Sequence, residues 1–287
     1  MTHKDIYTKF MIEYDKANVT SSYPSLTEYE VATVLDKAYH ALLAQKVTGN
    51  NIRRVAFEQD LKAIEDVSPL IKRVTVTSPT RIQTESGIAP NVKSIKLEGD
   101  HLYFISCYLK YTMPDTPMDG VTERMVPAVL MSHQQATKFY STAYNLPWIK
   151  TPVAYIEDDK LFVVYDPINS PKIENDKFVS PEIVYIKTPN KFVKDLQNGA
   201  DGLQLSDEEF GQVQEISYFS YKTRVPDDVM FQASYNVAAE NILKQMYTFE
   251  CSDTMAEELI SLAVAFALEN VESQRLNSKL NMRGLEA

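Results

Sequence analysis

Of the chain's 14 prolines, only Pro24 and Pro226 lie outside residues 69–189. A proline inside a helix removes a backbone donor, clashes with the preceding turn and costs about 3 kcal/mol. Long helices are therefore open to the two flanks and closed to the middle, which is left to strands and loops. The sequence predicts an N-terminal helical part over 1–68, a central antiparallel β domain over 69–190, and a C-terminal helical part over 191–287 that packs on the N-terminal helices. The fold class is α+β: terminal helices packed as a helical bundle, with the β domain inserted between them.

The flanks carry helical signals. Residues 4–17 read as a short helix ended by the polar stretch Asn18–Ser22. Ser25-Leu26-Thr27-Glu28 has the spacing of a capping box, and Val31, Val34, Leu35, Ala38, Leu42 and Leu43 follow at helical intervals. Gly49, Asn50 and Asn51 stop this helix and turn the chain into another over 52–64, which would bury Val55, Phe57, Leu61 and Ile64. Toward the other end, Asp201-Gly202 breaks the chain and Ser206–Glu209 forms a second capping box. Residues 228–247 and 254–276 then read as longer helices. The last is apolar around most of its circumference, so it is buried on several sides, by its own domain or by a second subunit. Leu259 and Phe266 on it are candidate interface residues.

The middle reads as one antiparallel sheet. Arg73–Thr77 and Ser94–Leu97 alternate, and the tight turn Glu98-Gly99-Asp100 leads into the aromatic-rich run His101–Tyr111, with His101 beside a hairpin turn. Val121–Met131 is a further strand, and Pro127 within it implies an edge or a bulge. Ser132–Tyr144 reads as a short helix capped by Ser132. Pro152–Ile156 and Lys160–Tyr165 flank Glu157-Asp158-Asp159 as a hairpin, and Pro181–Thr188 is the last strand.

Patterns that carry chemistry are scarce. No Gly-x-x-x-x-Gly-Lys or Gly-x-Gly-x-x-Gly loop is present, and none of the four histidines (His3, His40, His101, His133) has metal-ligand spacing to another. Ser132-His133 has no nucleophile elbow around it, and adjacent helical side chains do not face each other. Cys107 and Cys251 stand far apart and read as small buried hydrophobes. The acidic clusters at 157–159, 207–209 and 257–258 are explained by a hairpin and two helix N-termini. No catalytic residue, cofactor or metal is expected. No apolar run reaches the roughly 18–20 residues that span a bilayer, and no signal peptide opens the chain, so a cytoplasmic site of synthesis without a membrane anchor is expected.

Two features point to contacts with other proteins. The net charge of −10 argues against a protein built to grip nucleic-acid phosphates. The small basic groups Arg53-Arg54 and Lys72-Arg73 read instead as solvated faces or as contacts with an acidic neighbouring subunit. The 17 tyrosines read equally as strand and core packing or as interface residues. Tyr103, Tyr108 and Tyr111 within one strand cannot all face one side, so some of them should meet a partner.

Two stretches carry a resemblance. One is Leu26–Asn50, continuing to Phe57–Leu61; the other is Glu182–Pro189, followed later by Glu257–Arg275. Together they resemble neck, or head-to-tail ring, structural proteins of crAss-like tailed bacteriophages, while residues 190–254 read as an insertion. What the resemblance implies is a ring-forming head-to-tail connector in the virion neck or tail. It would be assembled in the host cytoplasm from about twelve copies stacked below a portal, with the portal or neighbouring ring proteins as partners. DNA would only pass through the channel, and no membrane would be involved. The helices of 25–64 and 254–276 would build the ring, and the strands would meet the adjacent ring. Arg53, Arg54, Tyr103, Tyr108, Leu259 and Phe266 are the assembly-interface candidates. Another virion role (tail, fibre-anchoring or capsid-decorating) and a hydrolase using Glu157, Asp159 and a third acid are the alternatives.

Overall fold

The computed structural model describes residues 1–16, 26–48, 60–76, 82–84, 91–112, 123–140, 145–148, 151–165, 179–193, 213–223 and 241–270. The chain divides into two compact units: Met1–Leu70 with Thr188–Ala287, and Ile71–Lys187. The described residues form an α+β protein, helical in the first unit and mainly strands in the second.

The first unit opens with α1 (His3–Lys16) and α2 (Glu28–Thr48). Helix α2 does start with a capping box, two residues later than expected. Thr27 is the cap: its Oγ1 accepts from the Glu30 amide at 3.3 Å, while the Glu30 carboxylate accepts from the Thr27 amide at 2.8 Å. Glu28 is already the first helical residue, which makes Thr27-x-x-Glu30 the box; Ser25, of the expected Ser25–Glu28 box, lies outside the described residues. The continuous helix over 52–64 is also corrected. Asp60 has extended backbone angles and its carboxylate accepts from the amides of Lys62 and Ala63, so it caps a separate short helix α3 (Leu61–Val67). That register turns Ala63, Asp66 and Val67 inward and leaves Leu61 77% exposed. Val55 and Phe57 lie outside the described residues.

The second unit holds two sheets rather than one. The first is fully antiparallel, in the order β1 (Ile71–Thr75), β9 (Val179–Lys187), β4 (His101–Thr112), β5 (Glu123–Pro127). The second runs β2 (Ile82–Thr84), β3 (Val92–Lys96), β8 (Lys160–Val164), β7 (Val153–Glu157), β6 (Val129–Leu130), and β6 pairs parallel to β7. The turn at Glu98–Asp100 is present, with the His101 amide donating to the Glu98 carbonyl at 3.1 Å. It is not a hairpin: it carries the chain from β3 in one sheet to β4 in the other. The two sheets share a core of Val76, Ile95, Leu97, Cys107, Leu109, Ala154, Leu161, Val163, Ile183 and Tyr185. The hairpin at 157–159 forms as expected, Glu157 pairing with Lys160 and Asp158 taking a positive φ of 56°. Ser132 precedes α4 (His133–Ala136) without a side-chain capping bond, and a single 3-10 turn follows it; residues 141–144 lie outside the described set.

Back in the first unit, the chain is tied down at once. The Asp36 carboxylate of α2 accepts from the amides of Phe192 and Val193 at 2.7 and 3.1 Å. Phe192 then stacks near His3, Tyr39 and Phe219 in a buried aromatic group. Helix alone was expected here, yet a two-stranded hairpin intervenes, β10 (Val213–Ile216) against β11 (Tyr221–Thr223). Of the helix expected over 228–247, α5 (241–246) lies in the described region. The last element, α6 (Asp253–Asn270), packs on α1 and α2. The Ser206–Glu209 box and the residues after 270 lie outside the described set. No helix among the described residues is long and apolar enough to cross a membrane.

Candidate functional site

Charge is the first thing the fold consumes. In the helical unit, Asp66 on α3 is buried against Lys46 of α2, with Nζ at 2.7 Å, and accepts from the hydroxyls of Ser252 and Thr254 ahead of and at the start of α6. Lys46 also reaches Glu258 at 2.9 Å, and Lys62 reaches the same carboxylate at 2.8 Å. Burial alone would raise the pKa of both acids, but these hydrogen bonds outweigh it and hold both below their ordinary values. Lys9 of α1 adds a pair with Glu257.

The sheet unit repeats the pattern. Lys72 of β1 lies 2.7 Å from Glu98 and 3.0 Å from Asp100, and the Tyr185 hydroxyl donates to Asp100 at 2.7 Å. The Glu98 hydrogen bond is the largest of the effects that raise the Lys72 pKa, and burial raises that of Tyr185. Arg73 Nε meets Glu182 across the β1–β9 pair at 2.8 Å. The basic group Lys72-Arg73 thus has acidic partners within its own chain, and Arg73 stays largely exposed. Arg53 and Arg54 lie outside the described residues.

The chemistry-bearing side chains are dispersed. His3 is buried among Phe192 and Tyr247, and burial holds the His101 imidazole below its usual pKa while Asp100 pulls it the other way. His133 is exposed, 3.9 Å from an equally exposed Glu157. Cys107 is buried in the sheet core and its thiol is pushed up to about 12; Cys251 is buried in the helical unit, 3.1 Å from the Tyr39 hydroxyl. Among the described residues, no three His, Cys, Asp or Glu side chains are grouped to hold a metal ion.

The expected interface residues fare unequally. Leu259 is fully buried by its own chain in α6, which makes it a core residue with no surface left for a neighbour. Phe266 is half-buried, with Lys37 Nζ 4.8 Å above its ring. Tyr103 and Tyr108 are both half-buried on β4. A register shift between Phe104 and Ser106 lets them share a face: Phe104 and Cys107 sit opposite the core residues Tyr185 and Ile183, while Tyr103 and Tyr108 sit opposite Ile186 and Glu182. The side chain of Tyr111 is not among those described.

The edge or bulge that Pro127 implied is present as an edge: β5, which holds it, ends its sheet among the described strands, and what the sequence did not single out is the apolar side chains there. Met125 on β5 and Val129 and Leu130 on β6 are exposed apolar side chains, and Trp148 is exposed in the loop before β7.

A model of the family described as phage tail ring protein 3/4 matches residues 1–190. The match takes in Leu26–Leu61 and Glu182–Pro189 of the resemblance and leaves Glu257–Arg275 outside it. No curated protein matches the chain.

Proposed function

The chain belongs to the phage tail ring protein 3/4 family, and from that premise we propose that it is a ring-forming head-to-tail connector in the neck of a tailed phage, surrounding the channel through which DNA passes. The observation that carries this reading is the extent of the family match, which takes in the whole sheet unit and the three helices before it. The role is structural. Copies join head to tail in a closed ring, about twelve in number, stacked on the portal or on neighbouring neck and tail rings, and the particle is assembled in the host cytoplasm. Helices α1, α2 and α6 form the bundle that stiffens each subunit.

Electrostatics support the reading. The net charge is −10, and the cations Lys46, Lys62, Lys72 and Arg73 are all engaged by carboxylates of the same chain. A channel lined by such subunits repels DNA and lets it slide. Arg53 and Arg54 are the cations we assign to assembly, with Tyr103, Tyr108 and Phe266 as further contacts. Reversing the charge of Arg53 and Arg54 should weaken assembly without unfolding the subunit; unchanged assembly removes that assignment.

The test of the function is the mass and symmetry of the purified protein, by light scattering and negative-stain class averages, alone and with portal protein. Closed rings near twelve-fold support the connector. A monomer that also ignores portal shifts the role to another structural subunit of the virion.

A further inference from the structure

The eight residues Glu123–Leu130 form one end of both sheets at once. Strand β5 is the last strand of the four-stranded sheet and β6 the last of the five-stranded sheet, and among the described strands each is paired on one side only. A single residue, Ala128, joins them, its amide donating to the Cys107 carbonyl at 2.8 Å, and the Val129 amide donates to the Pro152 carbonyl at 2.8 Å. The segment is therefore fixed to both sheets from within, and among the described residues no strand pairs with its outer side. Met125 is 50% exposed and Leu130 49% exposed, with Val129 also exposed between them. A soluble protein ordinarily blunts such an edge with charge or covers it, because unpaired amides beside apolar side chains template further strand pairing.

The opposite ends of the sheets are β1 and β2, also paired on one side only among the described strands. Strand directions set how a second copy would add to them. Every pairing from β1 through β9 and β4 to β5 is antiparallel, so β1 and β5 run in opposite directions. From β2 through β3 and β8 to β7 the pairings are antiparallel, and β6 runs with β7, so β6 and β2 also run in opposite directions. A second copy placed head to tail beside the first would therefore set its β1 antiparallel to β5 and its β2 antiparallel to β6. Strand direction is compatible with both seams in one head-to-tail contact, and repeating such a contact is what closes a ring.

We propose that Glu123–Leu130 is the seam between neighbouring copies, adding its two edges to β1 and β2 of the next subunit. The proposal rests on the ring reading and specifies the contact that builds the ring. The occupant is a second copy because the complementary edges belong to this same chain.

Two variants of the full chain test it. Met125→Lys with Leu130→Lys places charges on side chains that are already half exposed, so folding by circular dichroism and thermal melting should stay near that of the parent. Ring-sized particles should give way to folded monomer, with assembly needing about tenfold or more protein. Rings at the parent's concentration and size would overturn the seam and leave the ring reading standing. The second variant carries Met125→Cys and Thr75→Cys together; both native cysteines are buried, so a short bis-maleimide reacts at the new thiols. It should yield a ladder of covalent multimers, and Met125→Cys alone should yield none. Dimers from Met125→Cys alone would mean a two-fold contact of β5 with itself, which overturns the proposal. A parent protein that stays monomeric at all concentrations and with portal defeats the ring reading, and the seam with it.

Discussion

Asp66 shows 4% of its side chain to solvent, and a carboxylate that covered must be neutralised where it sits. Lys46 at 2.7 Å and the Ser252 hydroxyl at 2.5 Å do so, and in the process join α2, α3 and the start of α6. Glu258 does the same through Lys46 and Lys62. Burial pushes both carboxyls up, the hydrogen bonds push them down by more, and the folded pKa of each lies below its unfolded value. A carboxyl depressed in this way contributes stability that is present above the unfolded pKa and lost as pH falls through the folded one. The helical signal should therefore hold from neutral pH down to about 4 and fall away below it. Asp66→Asn should flatten that acid limb and cost about 3 kcal/mol at neutral pH. Urea titrations at several pH values would read both effects, and an acid limb unchanged by the substitution would place the acid lability in other carboxyls.

At the level of the element, the start of α2 has two overlapping spellings of one signal, Ser25-x-x-Glu28 and Thr27-x-x-Glu30, and the fold uses the second. Thr27→Ala should cost about 1 kcal/mol in a chemical melt and Ser25→Ala close to nothing; equal losses would mean that both hydroxyls cap. The same locality explains which elements were legible. The turn Asp158-Asp159 and the strands beside it are specified within a dozen residues, and so is the apolar spacing of α2. The expected burial of Leu61 failed because a spacing pattern was carried through Asp60, whose carboxylate starts a new helix in a new register. Two sheets were read as one because a turn such as Glu98–Asp100 has the same sequence whether its strands pair with each other or leave for different partners. Partner choice is a long-range property, as is the parallel pairing of β6, which is two residues long.

On the scale of the whole molecule, Leu259, which sequence alone assigns to an interface, is buried by its own chain, while Met125, to which sequence assigns no role, is exposed. A helix that is apolar all round reads the same whether its own chain or a second copy covers it. In α6 the cover is α1 and α2, and Met255, Ala256, Leu259, Ile260, Ala263 and Val264 are buried without any neighbour. Met125 lies two residues before Pro127 in a strand of five residues; the proline implied an edge or a bulge, but so short a pattern does not mark which side chains are exposed there. The dense apolar packing of α6 was therefore legible, and which chain supplies the cover was not: Leu259 is covered by its own chain, while the half-buried Phe266 stays a proposed contact. This difference can be measured. Leu259→Ala removes buried methyl groups from the helical unit and should cost about 3 kcal/mol. Because the two units have separate cores, hydrogen exchange should accelerate in peptides from α1, α2 and α6 and stay near the parent rate in peptides from 71–187. The fraction of folded chains found in rings should not change. A Leu259→Ala protein of normal stability that no longer assembles would return this residue to the interface and call for a partner over α6.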